Sequence, residues 1–584
     1  MLKHFTVLLL VITLGWACQK EISLDPGSGN TAAPVKATVS GQVLDETGQP
    51  MAGVSVRAGN SFAITDAKGF FRMPKASLDR NASVVIAEKS GYFKGIRSFQ
   101  ATSGANFVQI KLIPKHIAGT VNASAGGAVS LSNGATVALP ASAIVKAAGG
   151  TPYTGTVRVY AAYIDPAAAD IGQVVPGSFM ADDKNGKRSV LLSYGMMAVE
   201  LESDAGEKLQ IASGKEATLS TPIPAAATGA PASIPLWYLD EQTGIWKEEG
   251  SAVKQGNVYV GAVKHFSFWN CDAGFPGINL SMRLTNSHGT PYVNTTVRLT
   301  RSGSGWNTVS YGFTDSLGYV SGLVPSGESI ILDVMDDCRQ VVYTSTVGPF
   351  AVNTNLGTLV VTASSGAVEI TGTVTNCAGN PLAGAMVIVE ADGWPRYVTS
   401  DAAGHYSLSI LHCASSSPTC TITAIDNVAG QQATQTGITI VSPATDAGTI
   451  AACGTSTSQF INFTFDGQTY SLTTAVSADS LFFNSSPQAG GYVNYIIGNN
   501  FAAGVSFALR YNSPAIATGT YTPDYISIQN FTTGTVVIPT SIVITSITPA
   551  AGGFAEGSFS GSYRDATAGT ALHTFSGNFR LRRY

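Results

Sequence analysis

A short skeleton occurs three times along this chain and limits what the chain can fold into. It consists of Gly-x-Pro, a strand-like run, and then Thr or Ser followed by Asp-x-x-Gly and a nearby aromatic residue. The first copy, GQPMAGVSVRAGNSFAITDAKGFF, occupies 48–71, and the others begin at Gly289 and Gly379. Such a repeat indicates one supersecondary unit used several times, so we expect several similar domains.

The residue types of the skeleton predict short strands joined by tight turns. Alternating apolar residues such as Val39, Val43, Val54 and Val56 indicate strands with one buried face. Gly-x-Pro interrupts pairing because proline has no amide hydrogen to donate. Asp-x-x-Gly suits a type I turn closed by a glycine at positive φ, with the aspartate accepting hydrogen bonds from turn amides. Each copy is therefore predicted to be a sandwich of short antiparallel strands, in a chain that is all-β.

This pattern resembles the carboxypeptidase-regulatory-like domain, a transthyretin-like β-sandwich common in surface proteins of Bacteroidota. The resemblance is close over 37–114 and 366–453 and looser over 276–363, where Met282 and Asn294 replace two glycines of the skeleton. The family takes its name from a domain that accompanies metallocarboxypeptidases and has none of their zinc ligands. The resemblance therefore implies a transthyretin-like or Ig-like fold and implies no activity.

The chain length and the spacing of the copies predict several domains in a row. At about 150 residues per domain, a chain of 584 residues is expected to contain about four. We divide it into a signal peptide at 1–18, a flexible tether at 19–36, a sandwich at 37–114, a β-rich module at 115–270, a divergent sandwich at 271–363, a sandwich at 364–455, and a C-terminal β-domain at 456–584.

The module at 115–270 is similar to the β-rich extracellular module of cartilage intermediate layer proteins, with a ZU5-like opening, GGAVSLSNGATVALPASAIV. This resemblance implies a structural or adhesive role. Within the module, Asp-Glu-Gln-Thr-Gly at 240–244 predicts a hairpin turn between strands that carry Trp237 and Trp246. In the C-terminal domain, Asp-Gly at 466–467 lies between alternating aromatic residues and predicts another hairpin.

The N-terminus has the pattern of an export signal. Lys3 precedes an apolar run from Phe5 to Leu14, which is too short to span a bilayer. Small residues then lead to Cys18, and this ending resembles the lipobox of bacterial lipoproteins, in which the cysteine is lipidated. Gly15 occupies the place where leucine is usual, so cleavage by ordinary signal peptidase is the alternative. We favour lipidation of Cys18.

The residues after Cys18, Gln-Lys-Glu, look like the surface-export signals of Bacteroidota lipoproteins. That resemblance implies an outer-membrane location, with the protein on the outer face. The following stretch, ISLDPGSGNTAAPVK, is rich in Pro, Gly and Ser and predicts a flexible tether between the membrane and the first sandwich.

Disulfides are the expected state of the other cysteines, since an exported chain enters an oxidising compartment. The alternative is that some are free thiols in a core. No Cys-x-x-Cys occurs and no histidine stands at ligand spacing, so a zinc site is not expected. We favour local pairing, namely Cys413 with Cys420, Cys377 with Cys453, and Cys271 with Cys338.

Composition and motifs favour a non-catalytic role. Only 12% of residues are charged and the net charge is -4, so nucleic acid is not an expected partner. The chain has no Gly-x-Ser-x-Gly, no His-Glu-x-x-His and no phosphate-binding Gly-x-x-x-x-Gly-Lys-Ser/Thr. The acidic pairs at 182–183 and 336–337 lack the spacing of a calcium loop. We expect no metal, no cofactor and no enzymatic activity.

One aromatic residue lies between Gly-x-Pro and Asp-x-x-Gly in every copy. These residues are Phe62, Trp306 and Trp394, each next to small polar residues. Rings at exposed loop tips stack on sugars or on a partner surface, so all three are candidate ligand contacts. The alternative is that each ring folds over the edge of its own sandwich.

Together these features predict an outer-membrane lipoprotein that serves as a surface scaffold, adhesive or binding protein and is a monomer. Its expected partners are the membrane, through the lipid, and a glycan or surface protein. The alternative is a carbohydrate-binding lipoprotein of a glycan-uptake system, which requires a flat aromatic platform.

Lipidation is tested by growing expressing cells with radiolabelled palmitate. The mature protein should incorporate label, and a Cys18→Ser variant should incorporate none because it lacks the only thiol at the predicted cleavage site. Unlabelled mature wild-type protein would contradict the lipid anchor and favour ordinary signal cleavage.

Overall fold

The computed structural model describes residues 35–301, 309–362, 366–413, 415–473, 479–488, 490–500, 503–529, 531–548, 553–566 and 571–583. Strands dominate these residues and only one short helix interrupts them, so the all-β prediction is confirmed. Cys18 and Trp306 lie outside the described residues. Nowhere in these ranges is there a helix long and apolar enough to cross a membrane.

The first sandwich consists of a three-stranded and a four-stranded sheet. Its strands are β1 (Val35–Leu44), β2 (Ser55–Ala58), β3 (Ser61–Ile64), β4 (Phe70–Leu78), β5 (Ser83–Glu88), β6 (Gly95–Phe99) and β7 (Asn106–Lys111). The sheet orders are β4-β1-β7 and β3-β2-β5-β6. β1 pairs antiparallel with β4 and parallel with β7, so one parallel pair joins otherwise antiparallel sheets.

The middle module is a large, mostly antiparallel sheet with one helical turn. Its elements are β8 (Ile117–Asn122), β9 (Gly127–Ser130), β10 (Thr136–Leu139), β11 (Ile144–Lys146), β12 (Thr156–Ile164), α1 (Ile171–Val174), β13 (Met180–Asp182), β14 (Arg188–Ser203), β15 (Lys208–Ile211), β16 (Ala217–Pro222), β17 (Ser233–Asp240), β18 (Ile245–Gln255) and β19 (Val258–Val263). The predicted hairpin is present, because β17 pairs with β18 across the 240–244 turn. Trp237 and Trp246 are both fully buried.

One strand, β20 (Phe268–Thr285), runs from the middle module into the third sandwich without a break. Its first part pairs with β14 and β17 of the middle module, and its second part forms the central strand of the next sandwich. The boundary drawn at 270 and 271 therefore lies inside a continuous strand. The two modules share backbone hydrogen bonds and are not joined by a linker.

The third sandwich repeats the topology of the first. Its remaining strands are β21 (Thr296–Arg301), β22 (Val309–Phe313), β23 (Tyr319–Pro325), β24 (Ile330–Met335), β25 (Val341–Val347) and β26 (Thr354–Val360). β20 pairs antiparallel with β23 and parallel with β26, and the facing sheet has the order β22-β21-β24-β25.

The fourth sandwich has the same plan with one short added strand. Its strands are β27 (Ala367–Thr375), β28 (Met386–Ala391), β29 (Trp394–Thr399), β30 (His405–Leu411), β31 (Thr419–Asp426), β32 (Gln431–Thr439), β33 (Ala444–Ala451) and β34 (Thr455–Ser456). β27 pairs antiparallel with β30 and parallel with β33. All three copies of the skeleton therefore build one topology.

The Asp-x-x-Gly turns have the predicted chemistry. Asp66 Oδ1 accepts hydrogen bonds of 2.9 Å from the amides of Lys68 and Phe70. The turn closes at Gly69, where φ is +74° and a Cβ would lie 2.5 Å from the carbonyl oxygen of Val43. That position therefore requires glycine. The same arrangement recurs at Asp315 with Gly318 and at Asp401 with Gly404.

The hydroxyl residue before each aspartate joins the two halves of the skeleton. Thr65 Oγ1 donates to the carbonyl oxygen of Met51 at 2.6 Å and accepts from the amide of Val54 at 2.9 Å. Thr314 and Ser400 make the equivalent pairs of bonds. Since a buried amide without a partner is costly, this explains why Thr or Ser occupies the position in every copy.

The C-terminal domain is a single curled sheet. Its strands are β35 (Phe460–Phe465), β36 (Gln468–Thr473), β37 (Ser480–Gln488), β38 (Gly491–Asn500), β39 (Val505–Ser513), β40 (Gly519–Tyr521), β41 (Pro523–Ile528), β42 (Phe531–Ile547), β43 (Phe554–Asp565) and β44 (Leu572–Arg582). The predicted hairpin is present between β35 and β36, with Asp466 and Gly467 both at positive φ. Rings including Phe463, Phe507 and Phe559 fill the core.

The cysteines pair differently from the local scheme. Disulfides join Cys377 to Cys453, the pairing favoured from sequence, and Cys338 to Cys413. The expected pair of Cys413 and Cys420 does not form, because Cys413 is bonded to Cys338 and Cys420 lies free in the core of the fourth sandwich. Cys271 is free in the core of the middle module, and burial raises its pKa to about 12.

The structure predicts a defined peptide map. Digestion without reduction should yield a cross-linked pair containing Cys338 and Cys413, because this disulfide joins two sandwiches, and a second pair containing Cys377 and Cys453. Iodoacetamide should modify Cys271 and Cys420 only after denaturation, since both thiols are buried. A peptide linking Cys413 to Cys420, found by mass spectrometry, would contradict the structure.

Candidate functional site

Trp394, the first residue of β29, lies where three sandwiches meet. Its ring centroid is 6.2 Å from that of Phe70 and 5.8 Å from that of Phe107, both in the first sandwich. Phe107 in turn lies 5.1 Å from Phe313 of the third sandwich. The edge-to-face geometry of these rings is the arrangement that aromatic pairs favour. The structure thus gives Trp394 an interdomain packing role.

The other two candidate aromatics have different positions. Phe62 remains 40% exposed, and its centroid lies 5.6 Å from that of Phe482 in the C-terminal domain. Trp306 falls outside the described residues. Hence the structure does not bring Phe62 and Trp394 together in one platform, and ligand contact at any of the three stays a prediction.

A buried arginine joins the third and fourth sandwiches beside the interdomain disulfide. Arg396 has 0% exposure. Its guanidinium donates to Asp337 Oδ1 at 2.6 Å and, through Nε, to the carbonyl oxygen of Val293 at 3.1 Å. Asp337, one of the acidic pair considered for calcium, is therefore half of a buried ion pair next to Cys338.

Other acidic side chains and a histidine also have protein partners. Asp182 accepts from Arg188 at 2.7 Å and from Lys247 at 2.5 Å. His412 Nδ1 lies 2.9 Å from Asp392 Oδ1. Among the residues that the structure describes, no group of three His, Cys, Asp or Glu side chains is placed to hold a metal ion.

A cavity of about 160 Å³ lies inside the third sandwich and opens toward the first and middle modules. Its walls come from 97–109, 172–191 and 280–330. Tyr319, 45% exposed, and the exposed Ser310 border it and mark its mouth. Residues 302–308 lie outside the described part of the chain.

The cavity lies where the third copy departs from the packing of its relatives. In the first sandwich the ring of Phe71 lies over Gly41, its partner across the sheet, and a Cβ at Gly41 would lie 2.5 Å from that ring. In the fourth, Tyr406 lies over Gly372 in the same way. A large ring over a glycine therefore fills the centre of both sandwiches.

In the third sandwich the equivalent cross-strand pair is Met282 and Val320. The glycine has become a long flexible side chain and the aromatic ring a small branched one. Both residues line the cavity. The third copy therefore differs from the other two at a core pair that borders the cavity.

Arg97, in β6, lines this cavity, and no salt bridge joins it to a carboxylate of the described residues. Its Nη1 atom is buried and has no hydrogen-bond partner among them, while the residue as a whole is partly exposed. Burial lowers its pKa to about 10, with no carboxylate close enough to oppose the shift. Arg301, which also lines the cavity, differs because it donates to Glu328 at 2.8 and 2.6 Å.

A second arginine approaches the inner end of the cavity from the third sandwich. Arg339 donates to Gln109 Oε1 at 2.7 Å, and Gln109 lines the cavity. A void of about 10 Å³ beside it is bordered by both Arg97 and Arg339. Their neighbours there are amide and hydroxyl groups, so this end of the cavity is positive.

The sequence contained one signal for this site. The third copy has Met282 at the position where the other two copies have glycine. What sequence could not reveal was that Arg97, far away in the chain, lines the cavity together with this residue.

Comparison with known proteins gives limited similarity. Mouse cartilage intermediate layer protein 2 is 25% identical over 236 residues, which is 38% of this chain and 20% of that protein. The human protein is 24% identical over 237 residues, with the same coverage. This chain thus spans about a fifth of the length of these relatives. No protein-family model matches the chain.

Similar solved structures include β-rich bacterial surface proteins. The major pilin subunit of Bacillus cereus is 11% identical, covers 72% of this chain and 100% of its own, and has a TM-score of 0.11. The minor pilin of Streptococcus agalactiae covers 30% and 96% at 11% identity and a TM-score of 0.14. A candidate carbohydrate-binding protein of Bacteroides uniformis covers 37% and 98% at 8% identity and 0.12.

The packing role of Trp394 predicts a loss of stability on truncation. Trp394→Ala should lower the free energy of unfolding by about 2 kcal/mol, because the ring is half-buried between other rings. Trp394→Phe should cost less. Urea unfolding followed by near-ultraviolet circular dichroism measures the change, and Val428→Ala, at a 99% exposed position, is the control. Unchanged stability combined with lost glycan-array binding would instead favour a sugar contact.

Proposed function

We propose that this protein is a non-catalytic binding protein displayed on the cell surface and anchored in the outer membrane by a lipid on Cys18. The observation that carries the binding role is the cavity of the third sandwich. It departs from the packing of the other two copies and holds an arginine without an acidic partner. Packing and electrostatics in a purely structural domain disfavour both features, so a ligand accounts for them.

Its second role is that of a rigid scaffold. The first and fourth sandwiches meet through Trp394 and through Arg72, whose guanidinium lies 5.1 Å from the Tyr397 ring. A disulfide joins the third and fourth sandwiches. These contacts join modules that are far apart in the sequence. They hold the sandwiches around the cavity in fixed positions, which flexible linkers alone would not do.

The carbohydrate-binding alternative depends on exposed aromatic rings. Trp394 packs against rings of the first sandwich, and Phe62 lies beside Phe482. The described residues therefore favour the cavity over an aromatic platform as the place where a ligand binds. A glycan contact at Trp306 remains a prediction.

Surface display is tested with a membrane-impermeant biotin reagent on intact cells. Exposed lysines such as Lys215 and Lys254 should react, since the tether holds the folded modules outside the outer membrane. A periplasmic protein in the same cells should stay unlabelled, and Cys18→Ser protein should leave the membrane fraction. Labelling that appears only after lysis would contradict outer-face display.

A further inference from the structure

We propose that the cavity of the third sandwich binds a small aryl carboxylate, with the ring between the sheets and the carboxylate on Arg97. This inference rests on the proposed binding function and names its ligand class. Benzoate is the simplest member of that class and serves as the probe below.

The size and lining of the cavity favour a single ring. Its volume is about 160 Å³, and an apolar cavity of about 150 Å³ in another protein binds benzene. Met282, Val297 and Phe313 are among the apolar side chains that line it. Polar side chains, among them Asn106 and Ser321, also border the cavity.

The charge of the site favours an anionic group. Two buried arginines of the chain have carboxylate partners, since Arg396 has Asp337 and Arg301 has Glu328. Arg97 has none among the described residues, and its Nη1 has no acceptor at all. Burial of an uncompensated charge is costly, and a bound carboxylate would remove that cost through charge-assisted hydrogen bonds.

A monoanion matches the site better than a dianion. One uncompensated guanidinium faces the apolar space, while Arg301 is already neutralised by Glu328. Arg339 lies at the inner end, where it donates to Gln109. The planar carboxylate also fits the fork of donors that a guanidinium presents.

The guanidinium of Arg97 is held at the cavity of the third sandwich, so one ligand can contact both the guanidinium and the apolar side chains. Arg97 lies on β6, and its backbone pairs with Gly177 of the middle module. Amides of Gly104 and Ala105 donate to Asp315 and Ser316 of the third sandwich at 3.1 and 2.9 Å. These contacts fix the first sandwich against the third, and therefore fix the guanidinium at the cavity.

Isothermal titration of the full mature chain with benzoate tests the role of Arg97. Wild-type protein should bind benzoate, and Arg97→Met should weaken binding by about tenfold or more because a charge-assisted bond is lost. The control is Arg80→Met, at an exposed loop position, which should bind as wild type does. Equal binding by Arg97→Met would overturn the proposal.

A second variant tests the cavity itself. Val320→Phe keeps Met282, introduces the ring that the first sandwich has at this position, and should narrow the space because phenylalanine is larger than valine. This variant should lose benzoate binding and keep the melting temperature of the wild type. Arg97→Met should also keep or raise the melting temperature, since it removes an uncompensated buried charge. Lost binding with retained stability therefore reports on the site and not on unfolding.

Two further probes distinguish the ligand classes. Benzyl alcohol should bind much more weakly than benzoate, and inorganic phosphate should not bind with measurable affinity. Benzyl alcohol binding as well as benzoate would overturn the role of the charge, and binding of phosphate without benzoate would overturn the aryl carboxylate. Failure of surface labelling would contradict the cell-surface function and leave these binding results unaffected.

Discussion

One fully buried guanidinium determines how the repeated sandwiches of this protein fit together. Arg396 donates to Asp337 across the junction of the third and fourth sandwiches and to the carbonyl oxygens of Val293, Ala391 and Trp394. A buried ion pair contributes little net stability unless all its donors are satisfied, and here most of them are. It therefore selects one docking geometry, which the adjacent Cys338–Cys413 disulfide also fixes.

The same strand also carries the ring that contacts the first sandwich. Arg396 and Trp394 both lie on β29, so fixing the guanidinium presents the indole to Phe70 and Phe107 of the first sandwich. Phe107 then contacts Phe313 of the third. The first sandwich is thereby placed against the third, and Arg97 is brought to a cavity that belongs to a different module. The site depends on contacts between all three copies.

The three copies keep one fold although a pair of their core residues differs. Turn chemistry is unchanged in the three copies, because Asp66, Asp315 and Asp401 satisfy the same amides. The core pair differs, since a ring over glycine in two copies becomes Met282 opposite Val320 in the third. Turn residues are constrained by backbone hydrogen bonds, whereas a core pair can change in volume while the strands persist. The core pair that differs in the third copy is also the pair that borders the cavity.

The sequence by itself determined the strands, the turns and the number of related sandwiches, because alternation and Asp-x-x-Gly are local signals. It also identified Trp394 as unusual, though not that its ring would pack against Phe107. Only the tertiary structure decided which cysteines pair, that β20 is shared by two modules, and that Arg97 faces the cavity. Those outcomes depend on side chains from segments far apart in the chain, whose orientation no local pattern encodes.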